Sequence, residues 1–193
     1  MPAYEGQITV DGPTRTLHSH TFMGVYQALI DDFPGKSEQA QIAETLLQDV
    51  ASLEVRYNGL DGHGDAVFLV SVGNDNNGHN LPSGATADTQ VWVHLEIFDI
   101  AGQLIFESGM TDANGDLMDG VVGHSLDPDG DPELMLIGQH LFDEDGQHVT
   151  FAWQAHSRTD NLIGPGQRKW RDYGVPAQLL SGGIARVVAT LKY

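Results

Sequence analysis

The fold is decided by residues 73–109, GNDNNGHNLPSGATADTQVWVHLEIFDIAGQLIFESG. The stretch opens with Gly, Asn and Pro, which are turn-forming residues, and holds a histidine, His79. From Val91 to Phe98, apolar side chains occupy every second position, which predicts a half-buried β-strand. Residues 99–102 (Asp-Ile-Ala-Gly) predict a hairpin turn into a second strand at 103–107.

The same period of two recurs on both sides of this stretch. Leu53, Val55 and Tyr57 alternate with polar residues, and residues 66–72 form an apolar run that follows a Gly- and Asp-rich turn at 60–65. Residues 149–155 and 184–193 predict two further strands. Several short strands separated by turns predict a mainly β fold, an antiparallel β-sandwich of the immunoglobulin-like or jelly-roll-like kind.

The N-terminal part has a different pattern. Residues 1–24 predict irregular chain, and 25–33 predict a short helix that ends at Pro34-Gly35. Ser37 is a typical N-cap, and a second helix is predicted over 38–50 with one apolar stripe. That stripe consists of Ile42, Leu46, Leu47 and Val50. The sequence therefore predicts an irregular and helical arm, 1–51, followed by a β-sandwich domain, 52–193.

Composition excludes several classes of function. The net charge is −18, from 27 Asp and Glu against nine Lys and Arg, so a nucleic-acid partner is not expected. The chain has no run of about 20 apolar residues, so membrane insertion is not expected. It has no cysteine, which excludes disulfides, thiolate metal sites and covalent attachment of a c-type haem within this chain.

Histidines are the first candidates for chemistry. His18 and His20 flank Ser19, and alternate residues of an extended chain point to one side, so both imidazoles could face one object. His79 lies in a loop that could hold it rigidly. Imidazole binds transition metals and haem iron. A structural role, in which the ring of His79 bonds to loop backbone and shapes the 77–84 turn, is the alternative.

Two acidic loops are candidates for calcium, which prefers oxygen ligands. The first places oxygen-bearing side chains at alternate positions, and the second crowds carboxylates between two prolines. Their candidate ligands are Asp112, Asn114, Asp116 and Asp119 in the first loop, and Asp127, Asp129 and Asp131 in the second. Position 12 of the first loop is Gly123, where an EF-hand requires glutamate. Ordinary Asp-Gly turns are the alternative.

Catalysis has little support in the sequence, and we expect no enzyme activity. There is no Gly-x-Ser-x-Gly elbow, and Ser83 near His79 is not a triad. Two other functions stay open. One is a secreted calcium-dependent adhesion or carbohydrate-binding module, for which aromatic residues such as Trp92, Trp153 and Trp170 could form a sugar platform, with core packing as the alternative. The other is a hydrolase with an unrecognised carboxylate site.

The loop and strands of 77–109 also carry a family resemblance. The segment Asn77-Gly78-His79-x-x-Pro82-Ser83-Gly84, a strand with Trp92 and a final Ile-Phe-Glu-Ser-Gly resemble the β-sandwich region that follows the haem-binding part of some bacterial multihaem c-type cytochromes. Three other segments agree with this resemblance. They are His20-Thr21-Phe22-Met23-Gly24, the turn Asp160-Asn161-Leu162-Ile163-Gly164-Pro165-Gly166, and the closing Thr190-Leu191-Lys192-Tyr193.

The resemblance implies a partner and a cofactor. In that family Met-Pro often follows the last Cys-x-x-Cys-His, and this chain opens Met1-Pro2, so we expect a domain separated from its haem-bearing segment. The parent would hold haem c covalently and transfer electrons to redox partner proteins in the periplasm or outside the cell. His20 is the first choice for a distal haem ligand supplied by this chain, His79 the second and His18 the third.

Overall fold

The computed structural model describes residues 3–18, 34–84, 86–87, 89–120 and 130–193. The chain divides into two compact units, Met1–Asp49 and Val50–Tyr193. The strands are β1 Ala3–Gly6, β2 Arg15–His18, β3 Ser52–Leu60, β4 Ala66–Gly73, β5 Val91–Phe98, β6 Leu104–Ser108, β7 Met135–Ile137, β8 Gln139–Phe142, β9 His148–Val149, β10 Ser157–Asp160, β11 Arg168–Val175 and β12 Arg186–Lys192. The helix α1 spans Lys36–Val50, and two 3-10 helices span Ala152–Gln154 and Ala177–Gly182.

The first unit contains a hairpin and most of α1. β1 and β2 pair antiparallel, so the expectation of irregular chain is wrong for these residues. The predicted helix over 25–33 lies outside the described residues. The predicted helix over 38–50 is confirmed as α1, but its apolar stripe is not a buried face: Ala43 is buried whereas Ile42 is 38% exposed. No described helix is long and apolar enough to cross a membrane.

The second unit contains two antiparallel sheets that share one apolar core. One sheet has the order β11-β4-β3, and the other has the order β12-β5-β6 with β7 also paired to β5. β5 alternates between buried and half-buried positions along its whole length, as the sequence predicts. Core residues come from both sheets, Val70 and Val72 from β4 and Val93 and Leu95 from β5.

The prediction of a mainly β, antiparallel fold with a short helix is confirmed. The sandwich arrangement, whether immunoglobulin-like or jelly-roll-like, stays a prediction. Every strand pair of the described residues is antiparallel, and the strands at 52–57, 66–72, 91–98, 103–107 and 184–193 lie where the sequence predicts them, with bounds that shift by a few residues.

The predicted strand at 149–155 is wrong for most of its length. β9 ends at Val149 and belongs to a small sheet of order β10-β8-β9. The chain then forms the 3-10 turn at Ala152–Gln154, closed where the Gln154 N–H donates to the Phe151 carbonyl at 2.9 Å. Phe151 and Trp153 therefore flank and enter a 3-10 turn and do not lie in a strand. Their rings stack on each other with centroids 4.4 Å apart.

Candidate functional site

Asn74, which directly follows β4, holds the loop that carries His79. Asn74 is fully buried, and its Nδ2 donates to the His79 carbonyl at 2.7 Å and to the Ile163 carbonyl at 2.9 Å. One side-chain amide therefore joins two loops that lie 89 residues apart in sequence. A buried polar group requires such partners, because a lost hydrogen bond there costs about 1 to 3 kcal/mol.

Backbone bonds join the same two loops. Leu81 and Ile163 exchange hydrogen bonds, N–H to carbonyl, at 2.8 and 2.9 Å, and both side chains belong to the core. The Gly166 N–H donates to the Asn74 carbonyl at 2.8 Å. Segments 77–84 and 160–166, which carry parts of the family resemblance, are thus in direct contact. Their motifs have a structural role of their own.

His79 is held through its main chain and exposes its side chain. Its carbonyl accepts from Asn74, and its N–H donates to Asn77 Oδ1 at 3.2 Å. The side chain is exposed. A rigid backbone under an exposed imidazole fits a residue that presents its ring to a partner. The role of the ring in shaping the loop stays a prediction, but bonds from Asn74 and Asn77 already secure the loop.

Of the other two histidine candidates, the structure describes only the backbone of His18. His18 ends β2, where its backbone pairs with Ala3. His20, the first choice from the resemblance, lies outside the described residues. The roles of His18, His20 and His79 as haem ligands therefore stay predictions.

The first acidic loop is a hairpin turn organised by Asp112. Asp112 Oδ1 accepts from the N–H groups of Asn114 at 2.8 Å and Asp116 at 3.0 Å. The Asp112 N–H donates to the Asp116 carbonyl, and Gly115 has a φ of +93°, which glycine adopts without strain. This is a turn followed by a glycine bulge, a common connection between antiparallel strands. One carboxylate oxygen of Asp112 is thus engaged by the turn itself.

Within the described part of the chain, the same turn occurs four times. In each, an aspartate Oδ1 accepts from the N–H groups two and four residues later, and the glycine three residues later has positive φ. The four aspartates are Asp61, Asp99, Asp112 and Asp143. At Asp61, the N–H groups of Asp65 and then His63 hold the pKa of the carboxyl below its ordinary value, because they bond to its charged form.

The second acidic loop contains a long-range clamp. Asp131 Oδ2 accepts from the Ser108 hydroxyl at 2.8 Å and from the Gly109 N–H at 2.6 Å, and its Oδ1 accepts from the Glu133 N–H at 2.8 Å. Both oxygens of Asp131 are therefore engaged by groups of the chain, and the carboxylate fastens the end of β6.

Of the remaining calcium candidates, Asp119 is described and two others are not. Asp119 Oδ2 accepts from the Gln90 amide at 3.0 Å, and Asp127 and Asp129 lie outside the described residues. Within the described ranges, no three His, Cys, Asp or Glu side chains form a group that could hold a metal ion. Calcium stays a prediction, and the described geometry favours the interpretation as Asp-Gly turns.

The surroundings of Gly109 explain why the Phe-Glu-Ser-Gly segment ends in glycine. Its φ is +79°, and a Cβ placed there would lie 2.2 Å from the Val93 carbonyl oxygen. The Gly109 carbonyl in turn accepts from the Trp92 indole Nε1 at 3.0 Å. This segment is therefore required for the close approach of the chain to β5.

Sequence reasoning missed a groove on the outer face of β5. It has a volume of about 510 Å³ and is lined by Trp92, His94, Glu107, Met110 and Lys192 among others. His94 Nε2 and Glu107 Oε1 lie 2.9 Å apart, both side chains half-buried. A side-chain contact between neighbouring strands stabilises their pairing, so this hydrogen bond supports the sheet. In the sequence, the residues of this groove show only as polar side chains at alternate positions of a strand. Any solvent-facing strand side chain gives the same pattern, so the pattern does not reveal a groove.

A buried tyrosine at the clamp was also missed. Tyr173 of β11 is fully buried, and its ring packs edge-on against Phe106 of β6 with centroids 6.3 Å apart. Burial raises the pKa of Tyr173 to about 12, and the nearby Arg171 opposes that rise. The phenol of Tyr173 is therefore neutral at ordinary pH, which is consistent with its place in the core.

Comparison with known proteins gives one structural relation. No family model matches the chain, and no curated protein matches it. A solved structure, the penta-heme cytochrome c552 from Thermochromatium tepidum, superposes with a TM-score of 0.54 at 19% sequence identity. The match covers 77% of this chain and 32% of that chain, so this chain spans about a third of its relative. The likeness shows a shared fold, and function must come from sites.

Proposed function

We propose that this chain is a non-catalytic accessory domain of a multihaem c-type cytochrome that functions in electron transfer. The observation that carries the proposal is the shared fold with part of a penta-heme cytochrome. Covalent attachment of a c-type haem requires thiols, and this chain has no cysteine. The haem would therefore be attached to another segment of the parent polypeptide. The role of this chain is to pack on the haem-bearing segment of the same parent polypeptide.

Three histidines of this chain are candidates that could supply one ligand to a haem of the haem-bearing segment. Haem iron takes an imidazole as a common ligand, and when bound the haem supplies the redox couple. His79 has an exposed ring on a backbone that Asn74 holds in place, so ordering that ring on a partner costs little loop entropy. His20 remains the first candidate for this ligand, His79 the second and His18 the third.

The charge and the location follow from the same proposal. A net charge of −18 presents an acidic surface, which attracts basic redox partners over a distance of about one Debye length, ~8 Å in physiological salt. Because covalent c-type haem proteins of this kind work outside the cytoplasm, we place the domain in the periplasm or outside the cell. The electron donor and acceptor are partner proteins of complementary charge.

Isolation of the natural protein tests the proposal. The chain is tagged at its C-terminus in its own host and purified without denaturant. We expect a coloured preparation whose oxidised and reduced absorption spectra are those of a c-type haem. A colourless preparation from cells that produce other c-type cytochromes normally would refute it.

The ligand role of His79 has a separate test in that preparation. We expect His79→Ala to convert one low-spin haem to high spin by electron paramagnetic resonance, since one imidazole is lost. His63→Ala, which removes another exposed loop histidine, is the matched control and should change nothing. If His79→Ala leaves every haem low-spin, His20→Ala is the next variant, and the role of His79 is refuted.

Carbohydrate binding is a second candidate that one feature favours. Trp153 is 80% exposed and Phe151 49% exposed, and their rings are nearly parallel at 9°. Exposed aromatic faces are platforms on which sugar rings stack. Trp153→Ala should abolish retention on a glycan array if this function holds, whereas Trp170→Ala, at another exposed tryptophan, should not. No retention of the natural sequence on any glycan would remove this candidate.

A further inference from the structure

β11 carries two cationic side chains on the same face of the strand as its buried residues Tyr173 and Val175. Tyr173 and Val175 lie opposite Phe68 and Ala66 of β4, and all four belong to the core. Lys169 and Arg171 lie opposite Val72 and Val70. Because directly opposite residues of an antiparallel pair share a face, Lys169 and Arg171 point to the core side of the sheet.

A groove lies where these two cations emerge. It has a volume of about 360 Å³ and is lined by parts of β7, β8 and β11, including Met135, His140, Lys169 and Arg171. This size is within the range of small-molecule sites. The chain has only nine Lys and Arg against 27 Asp and Glu, so two inward cations beside one groove are unusual for this surface.

The charge of Lys169 is not balanced by a carboxylate in its described contacts. Its Nζ donates to Asn161 Oδ1, and the Asn161 Nδ2 donates to the Leu136 carbonyl of β7. Asn161 is thereby oriented so that its oxygen fixes the ammonium beside the groove. A neutral amide positions a half-buried charge but does not neutralise it.

Arg171 adds donors to the same groove. Its Nη2 donates to the Pro132 carbonyl at 2.7 Å and to Glu133 Oε2 at 3.1 Å, which fixes the guanidinium. Its Nε is buried without a hydrogen-bond partner in the described structure. A guanidinium has five N–H donors, so two bonds do not saturate it.

We propose that this groove binds a carboxylate ligand, with Lys169 as the principal contact and Arg171 as the second. The two residues are two positions apart on a strand, about 7 Å, a separation that the two ends of a short dicarboxylate span. Two sources share this chemistry. One is a free dicarboxylate, and the other is the propionate pair of a haem held by the haem-bearing segment. Only the second source rests on the proposed function.

The test is a nuclear magnetic resonance titration of the full chain with succinate, at about 0.15 M salt to suppress non-specific attraction. We expect saturable shifts of the amide signals of β7 and β11. Lys169→Gln should weaken binding about tenfold, the usual effect of losing a hydrogen bond to a charged group. Lys169→Arg should retain most of the affinity. Lys192→Gln, which removes the same charge from β12, should change the affinity less than twofold.

A second titration separates the two sources. Iron protoporphyrin IX and its dimethyl ester are compared, with succinate as competitor. Porphyrin binding that needs free propionates and is displaced by succinate assigns the groove to haem propionates. Succinate binding without porphyrin binding assigns it to a free dicarboxylate. Absence of succinate shifts in β7 and β11, or equal losses in Lys169→Gln and Lys192→Gln, would overturn the inference. A c-type haem spectrum of the natural protein would still support the proposed function in that case.

Discussion

Asp112 and Asp131 stand in two acidic loops that look alike in sequence and differ in structure. The carboxylate of Asp112 accepts from N–H groups two and four residues later, and these two bonds are local. The carboxylate of Asp131 accepts from Ser108 and Gly109, more than 20 residues earlier, as well as from Glu133. The first shapes one exposed turn, whereas the second fastens a strand end to the core. Residue type alone therefore does not report how much stability a carboxylate provides.

The largest effect is expected from the clamp. Asp131→Ala removes the acceptor of three hydrogen bonds and leaves the buried Ser108 hydroxyl and the Gly109 N–H unpaired, which should cost about 4 kcal/mol of unfolding free energy. Urea denaturation measures it. Asp145→Ala, at an exposed turn position, is the control and should cost less than about 0.5 kcal/mol. Equal losses in the two variants would break the distinction between clamp and turn.

The glycine held by the clamp is the next most sensitive position. Gly109→Ala places a Cβ within 2.2 Å of the Val93 carbonyl at a φ of +79°, so we expect a loss of about 3 kcal/mol. Gly174→Ala is the matched control, because a Cβ there meets nothing within 4 Å. Denaturant midpoints compare the two. A loss at Gly109 that is no larger than the loss at Gly174 would contradict the close approach to β5.

Tyr173 makes the clamp region sensitive to alkali. Its pKa is raised to about 12 from 10 by burial, so its contribution is intact below pH 10 and is lost as the pH rises from 10 to 12, where the unfolded chain ionises first. Ionisation of Tyr173 should lower the free energy of unfolding by about 2 to 3 kcal/mol over this pH range, and Tyr173→Phe should remove this decrease. Tyr57→Phe, at an exposed tyrosine, should leave the alkaline loss as it is. Identical alkaline unfolding curves for the natural sequence and Tyr173→Phe would show that Tyr173 ionises freely.

The smallest effect is expected in the local turn. Asp112→Ala removes two exposed hydrogen bonds and should cost about 1 kcal/mol, similar to the loss of a helix cap. Thermal unfolding measures it, with Asn114→Ala as the control. Addition of calcium to the natural sequence should leave the melting temperature unchanged if both loops are only structural. A calcium-dependent rise that Asp112→Ala abolishes would instead restore the calcium site.

The parts of the fold that sequence predicted well are those with uniform alternation. β5 was predicted with its bounds, because each inward position is apolar and each outward position is polar or aromatic. β11 was missed because two of its inward positions hold Lys169 and Arg171, which hide the alternation. The segment after Val149 was predicted as a strand, but it forms a 3-10 turn. Phe151 and Trp153 in this segment are exposed and stacked, so they do not contribute to the core.

The site was harder to predict than the fold, because its contacts are distant in sequence. His79 was singled out correctly as a loop residue, but the residue that holds its loop, Asn74, contacts Ile163 across 89 positions. No local pattern reports such a contact. The turns at Asp61, Asp99 and Asp112 are local, and the sequence indicated a turn at each, for Asp112 as the alternative to a calcium site. The turn at Asp143 was not predicted.

A haem stain of the natural polypeptide after denaturing electrophoresis tests the central proposal most directly. An antibody against this chain identifies the band that contains it. We predict that this band is larger than the 20.9 kDa of these 193 residues and that it stains for covalent haem. An antibody-positive band at 20.9 kDa, without haem and without a larger stained band, would contradict the proposal that this chain belongs to a multihaem cytochrome.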